Sequence, residues 1–180
     1  MSNISTRLFG LLLLVCAGCS APDTVSWAIQ GKRFNIPREN VVDAGVSFLP
    51  ASQDALRFVI NPSAPLREQH MVSIDPSATC PPFDGSEPRN PRCKVTPTLL
   101  SQLERAKLIR AGDEFTWQYR SAETGRVVAS CSAAEGDGLC NHYGLYEGIP
   151  YRIGFRDSQL PRLVSLRRTT EALMREWQAK

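Results

Sequence analysis

Four cysteines, two histidines and a few carboxylates are the side chains through which this chain could do chemistry beyond its first 19 residues. Cys80 and Cys93 enclose 12 residues, and Cys131 and Cys140 enclose 8. These spacings are longer than the short hooks that hold structural zinc. In an exported chain, an even number of cysteines reads as disulfides. Four cysteines allow three connectivities, and the nearest-neighbour pairing, Cys80–Cys93 with Cys131–Cys140, is expected. Only His70 and His142 could act as an imidazole base. No Gly-x-Ser-x-Gly elbow, His-Glu-x-x-His pair or phosphate-cradling glycine loop accompanies them. The Glu135-Gly136-Asp137-Gly138 run has too few oxygen ligands at regular steps for a calcium loop and reads as a turn. No catalytic residue, cofactor or metal site is therefore assigned.

Two segments suit recognition better than catalysis. Cys80 to Cys93 holds Pro81, Pro82, Pro88 and Pro91, with Phe83 near its start and Arg89 and Arg92 near its end. Aromatic and arginine side chains are favoured interface anchors, and a stiff loop loses less entropy on binding. The second segment is Asn141-His142-Tyr143-Gly144, read as an exposed loop with His142 and Tyr143 as contact residues or as simply solvated. Phe83, Arg89, Arg92, His142 and Tyr143 are the candidate partner-binding residues.

The N-terminus sets the compartment. Arg7 precedes an apolar run from Leu8 to Val15, and Cys16-Ala17-Gly18-Cys19 follows. The run is shorter than the ~20 residues a spanning helix needs and has signal-peptide length. Ala17-Gly18-Cys19 resembles the end of a bacterial lipoprotein signal, with Cys19 as the lipidated residue. Modification at Cys16 would place bulky Val15 before the cut. An ordinary secretory signal cut near Ala21 is the alternative. Acylation at Cys19 would anchor the chain in a membrane, and the resemblance to enterobacterial lipoproteins implies that Ser20 after it favours the outer membrane over the inner one. The expected organisation is a signal at 1–18, a lipidated tether at 19–24 and a single periplasmic domain at 25–180.

Removing residues 1–18, whose only charged side chain is Arg7, leaves 162 residues with a formal charge of +2. That is one ordinary domain. The small positive excess, without a basic stripe interleaved with aromatics, gives no reason to expect nucleic acid.

The elements that must position these residues read mostly as short strands. Alternation marks Val25, Trp27 and Ile29, then Phe34 and Ile36 beyond Gly31. Val41–Leu49, Leu56–Ile60 and Met71–Ile74 are further strand candidates. Phe115, Trp117 and Tyr119 alternate most clearly, with a turn at 122–125 and a return over Arg126–Ser132. Tyr151, Ile153 and Phe155 form the last strand. A helix is expected after the first cysteine loop, capped by Thr96 with Pro97 at its first position and ended by Gly112. A second, amphipathic helix is expected over Leu163–Gln178, with Leu163, Leu166, Thr170, Leu173 and Trp177 on one face. Glu171 and Arg175 would pair along its outer face. The expected class is α+β with a mainly antiparallel sheet.

Trp27 to Asn40, with its Arg33-Phe34-Asn35-Ile36-Pro37 motif, resembles the opening of small lipoproteins that accompany type VI secretion phospholipase effectors. The Leu56-Arg57-Phe58 strand, the C-terminal segment ending at Trp177 and Cys19 fit the same layout. That resemblance implies a periplasmic immunity protein, without catalysis of its own, that binds and blocks a D-type phospholipase. The alternative is a structural or assembly lipoprotein of the envelope or of a secretion machine.

Overall fold

The computed structural model describes residues 23–42, 56–74, 98–133 and 137–179. Cys19, Cys80, Phe83, Arg89, Arg92 and Cys93 lie outside the described residues, as do Thr96, Pro97 and most of the Val41–Leu49 strand candidate. Among the described residues, no helix is long and apolar enough to cross a membrane.

Among the described residues, nine strands form two antiparallel sheets. β1 (Thr24–Ile29) and β2 (Lys32–Pro37) make a hairpin. The larger sheet has the order β3-β4-β9-β8-β7-β6-β5. Its strands are β3 (Leu56–Val59), β4 (Met71–Ile74), β5 (Leu108–Gly112), β6 (Thr116–Ser121), β7 (Val127–Ser132), β8 (Leu139–Tyr146) and β9 (Ile149–Arg156). Among the described residues there are two α-helices, α1 (Leu100–Arg105) and α2 (Leu163–Trp177). The fold is α+β with a mainly antiparallel sheet, as expected from the alternating runs.

Both tight hairpins turn through two residues with positive φ: Gln30 (49°) with Gly31 (76°), and Glu147 (46°) with Gly148 (87°). This is the turn whose twist matches that of the flanking strands. Lys32 and Glu147 form an ion pair that ties the two hairpins together.

Alternation sorts the sheet into two faces. Ile149, Tyr151, Ile153 and Phe155 of β9 are buried, while the residues between them are half-buried. α2 covers the buried face in two halves. Its first half, Leu163 and Leu166, joins Leu103, Trp117, Ala129 and Phe155. Its last turns, Met174 and Trp177, join Phe34, Ile36, Phe58 and Tyr151. Trp177 meets Phe58 edge-on, with ring centroids 5.1 Å apart. Beyond the helix, the Ala179 N–H donates to the Arg33 carbonyl at 2.8 Å, so the small hairpin and the C-terminus close over the same core.

The first expected helix is shorter than its sequence suggested. α1 ends at Arg105, and Leu108–Gly112 is strand instead. The reason is tertiary: β6 offers a free edge, and all five residues of β5 pair with it. The expected loop around His142 is also corrected, because Leu139–Tyr146 forms one of the two longest strands, with β9 paired along its whole length. Its inward residues are Cys140, His142, Gly144 and Tyr146, a set too polar and too small to register as an apolar stripe. Gly144 is required there: a Cβ on it would lie 2.3 Å from Tyr151 Cζ.

Candidate functional site

Between the two apolar halves of α2 lies a buried polar seam. Arg167, one turn beyond Leu163, is 0% exposed. Its Nε donates to Glu171 Oε1 at 2.7 Å, and its Nη1 donates to the Thr98 carbonyl. Nη1 also lies 3.0 Å from His142 Nε2. Guanidinium nitrogens only donate, so His142 Nε2 accepts. Its Nδ1 therefore carries the proton and donates to the Val128 carbonyl at 2.8 Å. Val128 stands at a bulge, where the pairing skips from Tyr119↔Ala129 to Arg120↔Val127. The irregularity leaves its carbonyl available to the imidazole. Tyr151 Oη donates to Glu171 Oε1 at 2.8 Å, and the Arg167 guanidinium lies 5.4 Å from the Tyr151 ring centroid.

The seam thus links α2 to β7, β8, β9 and the strand-like residue Thr98. Burial, together with the Arg167 charge, pushes the His142 pKa down to about 3. Burial is also the main cause that raises the Tyr151 phenol above its ordinary value. His142 is fully buried, with both ring nitrogens engaged. It is therefore neither an exposed contact nor a base with an available lone pair. Glu171, expected to face outward toward Arg175, is turned inward to Arg167 and Tyr151. Period-two alternation separates the candidate pair: Tyr143, next to His142, is half-buried on the opposite face of the sheet.

Cys131 and Cys140 are opposite one another on β7 and β8 and form a disulfide, with Cα atoms 4.0 Å apart. Asp157 lies beside them, and its carboxylate accepts from Tyr119 Oη at 2.7 Å. These three residues have metal-ligand types, but the two sulfurs are bonded to each other and offer no thiolate. Asp137 caps the segment after β9, accepting from the Ser158 N–H at 3.0 Å and its hydroxyl at 2.5 Å. The disulfide closes a short loop with a sequence separation of 9. Replacing both cysteines by Ala is expected to lower stability by roughly 2–3 kcal/mol. Urea unfolding of the two proteins under oxidising conditions checks this, and coincident midpoints would contradict it.

The other face of the large sheet bears no helix among the described residues. Its seven strands contain no Asp or Glu, but they hold Arg57, Arg110, Arg120, Arg152 and Arg156. Arg110 belongs to the inner register and stacks on Trp117, 4.2 Å from its centroid. The remaining four are on the outer face, with Tyr143 and Leu145 among them. Arg120 donates to Gln118 Oε1 and the Gly125 carbonyl, Arg152 to Ser73 Oγ, and Arg156 to the Asp137 carbonyl. Their partners are thus neutral oxygens, although the Asp137 carboxylate is close enough for Arg156 to help lower its pKa. Gln118, Arg120, Ser130 and Asn141 line an open concavity of about 440 Å3 on this face. Nothing in the sequence reading singled out these arginines. The signal was there in the strand segments, which are free of acidic residues, but only the sheet order collects them.

The sequence matches no protein-family model and no curated protein. The fold is similar to that of a solved immunity protein of the Stenotrophomonas maltophilia type IV secretion system. The TM-score is 0.50 at 11% identity, over 88% of this chain and 94% of that one. At that identity the likeness is one of fold.

Proposed function

We propose that this chain is an immunity protein: a non-catalytic binder that neutralises a toxic effector delivered by a bacterial secretion system. The observation that carries the reading is the fold likeness to a secretion-system immunity protein, which spans nearly the whole of both chains. Two features of this molecule support it. The buried His142 imidazole has no nitrogen left for catalysis, and among the described residues no helix lies over the outer face of the large sheet. The expected signal and lipidated Cys19 support a position at the periplasmic side of the outer membrane, held by the lipid. There it meets an effector where the effector acts. The resemblance to lipoproteins that accompany type VI phospholipase effectors supports a D-type phospholipase as the target.

Coexpression tests the reading. Under this reading, an exported D-type phospholipase effector encoded beside this gene is expected; it should be lethal alone and tolerated when the full-length protein is made with it. Survival should be lost when Cys19→Ser abolishes the anchor and signal processing. Continued killing in the presence of correctly exported wild-type protein would remove the immunity reading and leave the envelope-assembly role.

A further inference from the structure

We infer that the outer face of the seven-stranded sheet docks an acidic protein surface, with Arg57, Arg120, Arg152 and Arg156 as its cationic contacts. The inference deepens the immunity reading and rests on it for the identity of the partner, but the argument for the face is electrostatic. Of the chain's 21 basic residues, five lie on these strands, which hold none of its 18 acidic ones. The remaining 16 basic residues are outnumbered by the acidic ones, so the sheet carries more than the whole net charge of +3.

Size and spacing fit a folded partner. Arg57 on β3 and Arg120 on β6 are five strand steps apart, or ~24 Å. Arg152 and Arg156 project from the same side of β9, ~13 Å apart. Seven strands of four to eight residues present an area on the order of 600 Å2, near the ~800 Å2 each partner gives to a standard interface. Tyr143 and Leu145, half-buried on β8 near the centre of the sheet, supply an aromatic and an aliphatic contact between the charges. Interfaces favour arginine and tyrosine in this way. A nucleic-acid backbone is tracked by a continuous positively charged groove, whereas these four arginines are separated by uncharged side chains on β4, β7, β8 and β9. A partner carboxylate can engage each guanidinium in two parallel bonds.

The test uses the mature protein and two probes. The first is the purified effector encoded beside the gene, and the second is a 15-residue poly-L-glutamate titrated into 15N-labelled protein. Arg57→Gln/Arg120→Gln/Arg152→Gln should weaken effector binding ~100-fold and flatten its salt dependence. Arg105→Gln/Arg175→Gln, at exposed helical positions, should leave both unchanged, and thermal unfolding checks that each variant is folded. Poly-L-glutamate should perturb amides of β6, β8 and β9 in the wild type and not in the triple variant. Unchanged effector affinity in the folded triple variant overturns the inference and leaves the immunity reading standing. A wild type that binds no effector but shows the glutamate footprint overturns the immunity reading and keeps the face. No glutamate footprint, or a stronger one from duplex DNA or phosphatidylglycerol vesicles on the same amides, overturns the acidic-protein inference.

Discussion

Arg167→Met is expected to lower the unfolding free energy by about 3–5 kcal/mol, the usual loss when one member of a buried charge pair is removed. The methionine retains most of the side chain's length and apolar contact, so the loss reports the guanidinium. Without it, the Glu171 carboxylate keeps only the Tyr151 hydroxyl as a partner from the seam, and the His142 Nε2 and Thr98 carbonyl lose the donor they share. The orphaned His142 Nε2 costs about 1–3 kcal/mol when water cannot replace the donor. With a urea m-value of ~2 kcal/mol/M, the midpoint falls by roughly 2 M. Adding Glu171→Leu should recover part of the loss, because it removes the stranded charge instead of leaving it buried. A midpoint shift below ~0.5 M for Arg167→Met would mean that the seam contributes little to stability.

Stability is also expected to fall with acid before the carboxylates begin to protonate. His142 titrates near 6.5 when unfolded and at about 3 when folded. Between those values the unfolded chain binds a proton that the native state excludes. The stabilisation is therefore complete above pH 6.5 and is lost progressively as pH falls toward 3. The slope is about 1.4 kcal/mol per pH unit well inside that window, or about 2–3 kcal/mol between pH 6.5 and 4.5. His70 is lowered as well, by burial first and then by Arg162, and contributes with the same sign. Asp113, Asp137 and Glu147, lowered by hydrogen bonds to their carboxylates, add a further loss below the ordinary carboxylate range. Those carboxylates are shared by the wild type and a His142 variant, so their contribution cancels between the two. The decisive comparison is His142→Gln, which cannot take up the proton. Urea midpoints taken from pH 7 to 4.5 should fall less steeply in the variant by about one proton's worth. Parallel pH profiles would refute the buried neutral imidazole.

Alternation marked β1, β2, β3, β6 and β9 in the sequence because their inward residues are mostly large and apolar, while β4 was read as a short strand and β7 as the return beyond the turn at 122–125. α2 was marked by leucines and Trp177 at helical spacing. β8 was missed for a physical reason. Its inward positions carry a disulfide cysteine, a histidine bonded on both sides, a glycine that makes room for Tyr151, and a tyrosine. None of these is hydrophobic enough alone to reveal a buried face. β5 was taken as helix because local propensity cannot register an open strand edge elsewhere in the chain.

By itself, the sequence determined what depends on near neighbours: short alternating strands and a C-terminal amphipathic helix. The α+β class and the pairing of Cys131 with Cys140 were also expected from it, and both are found in the structure. Only the tertiary structure decided which way each polar side chain points. It turned Glu171 inward to Arg167 and buried His142, while leaving Tyr143 on the open face. It also gathered arginines 57, 120, 152 and 156 onto one surface. A burial pattern is local and repeats every two or four residues. The charge of a sheet face depends on strand order, which links residues nearly a hundred positions apart.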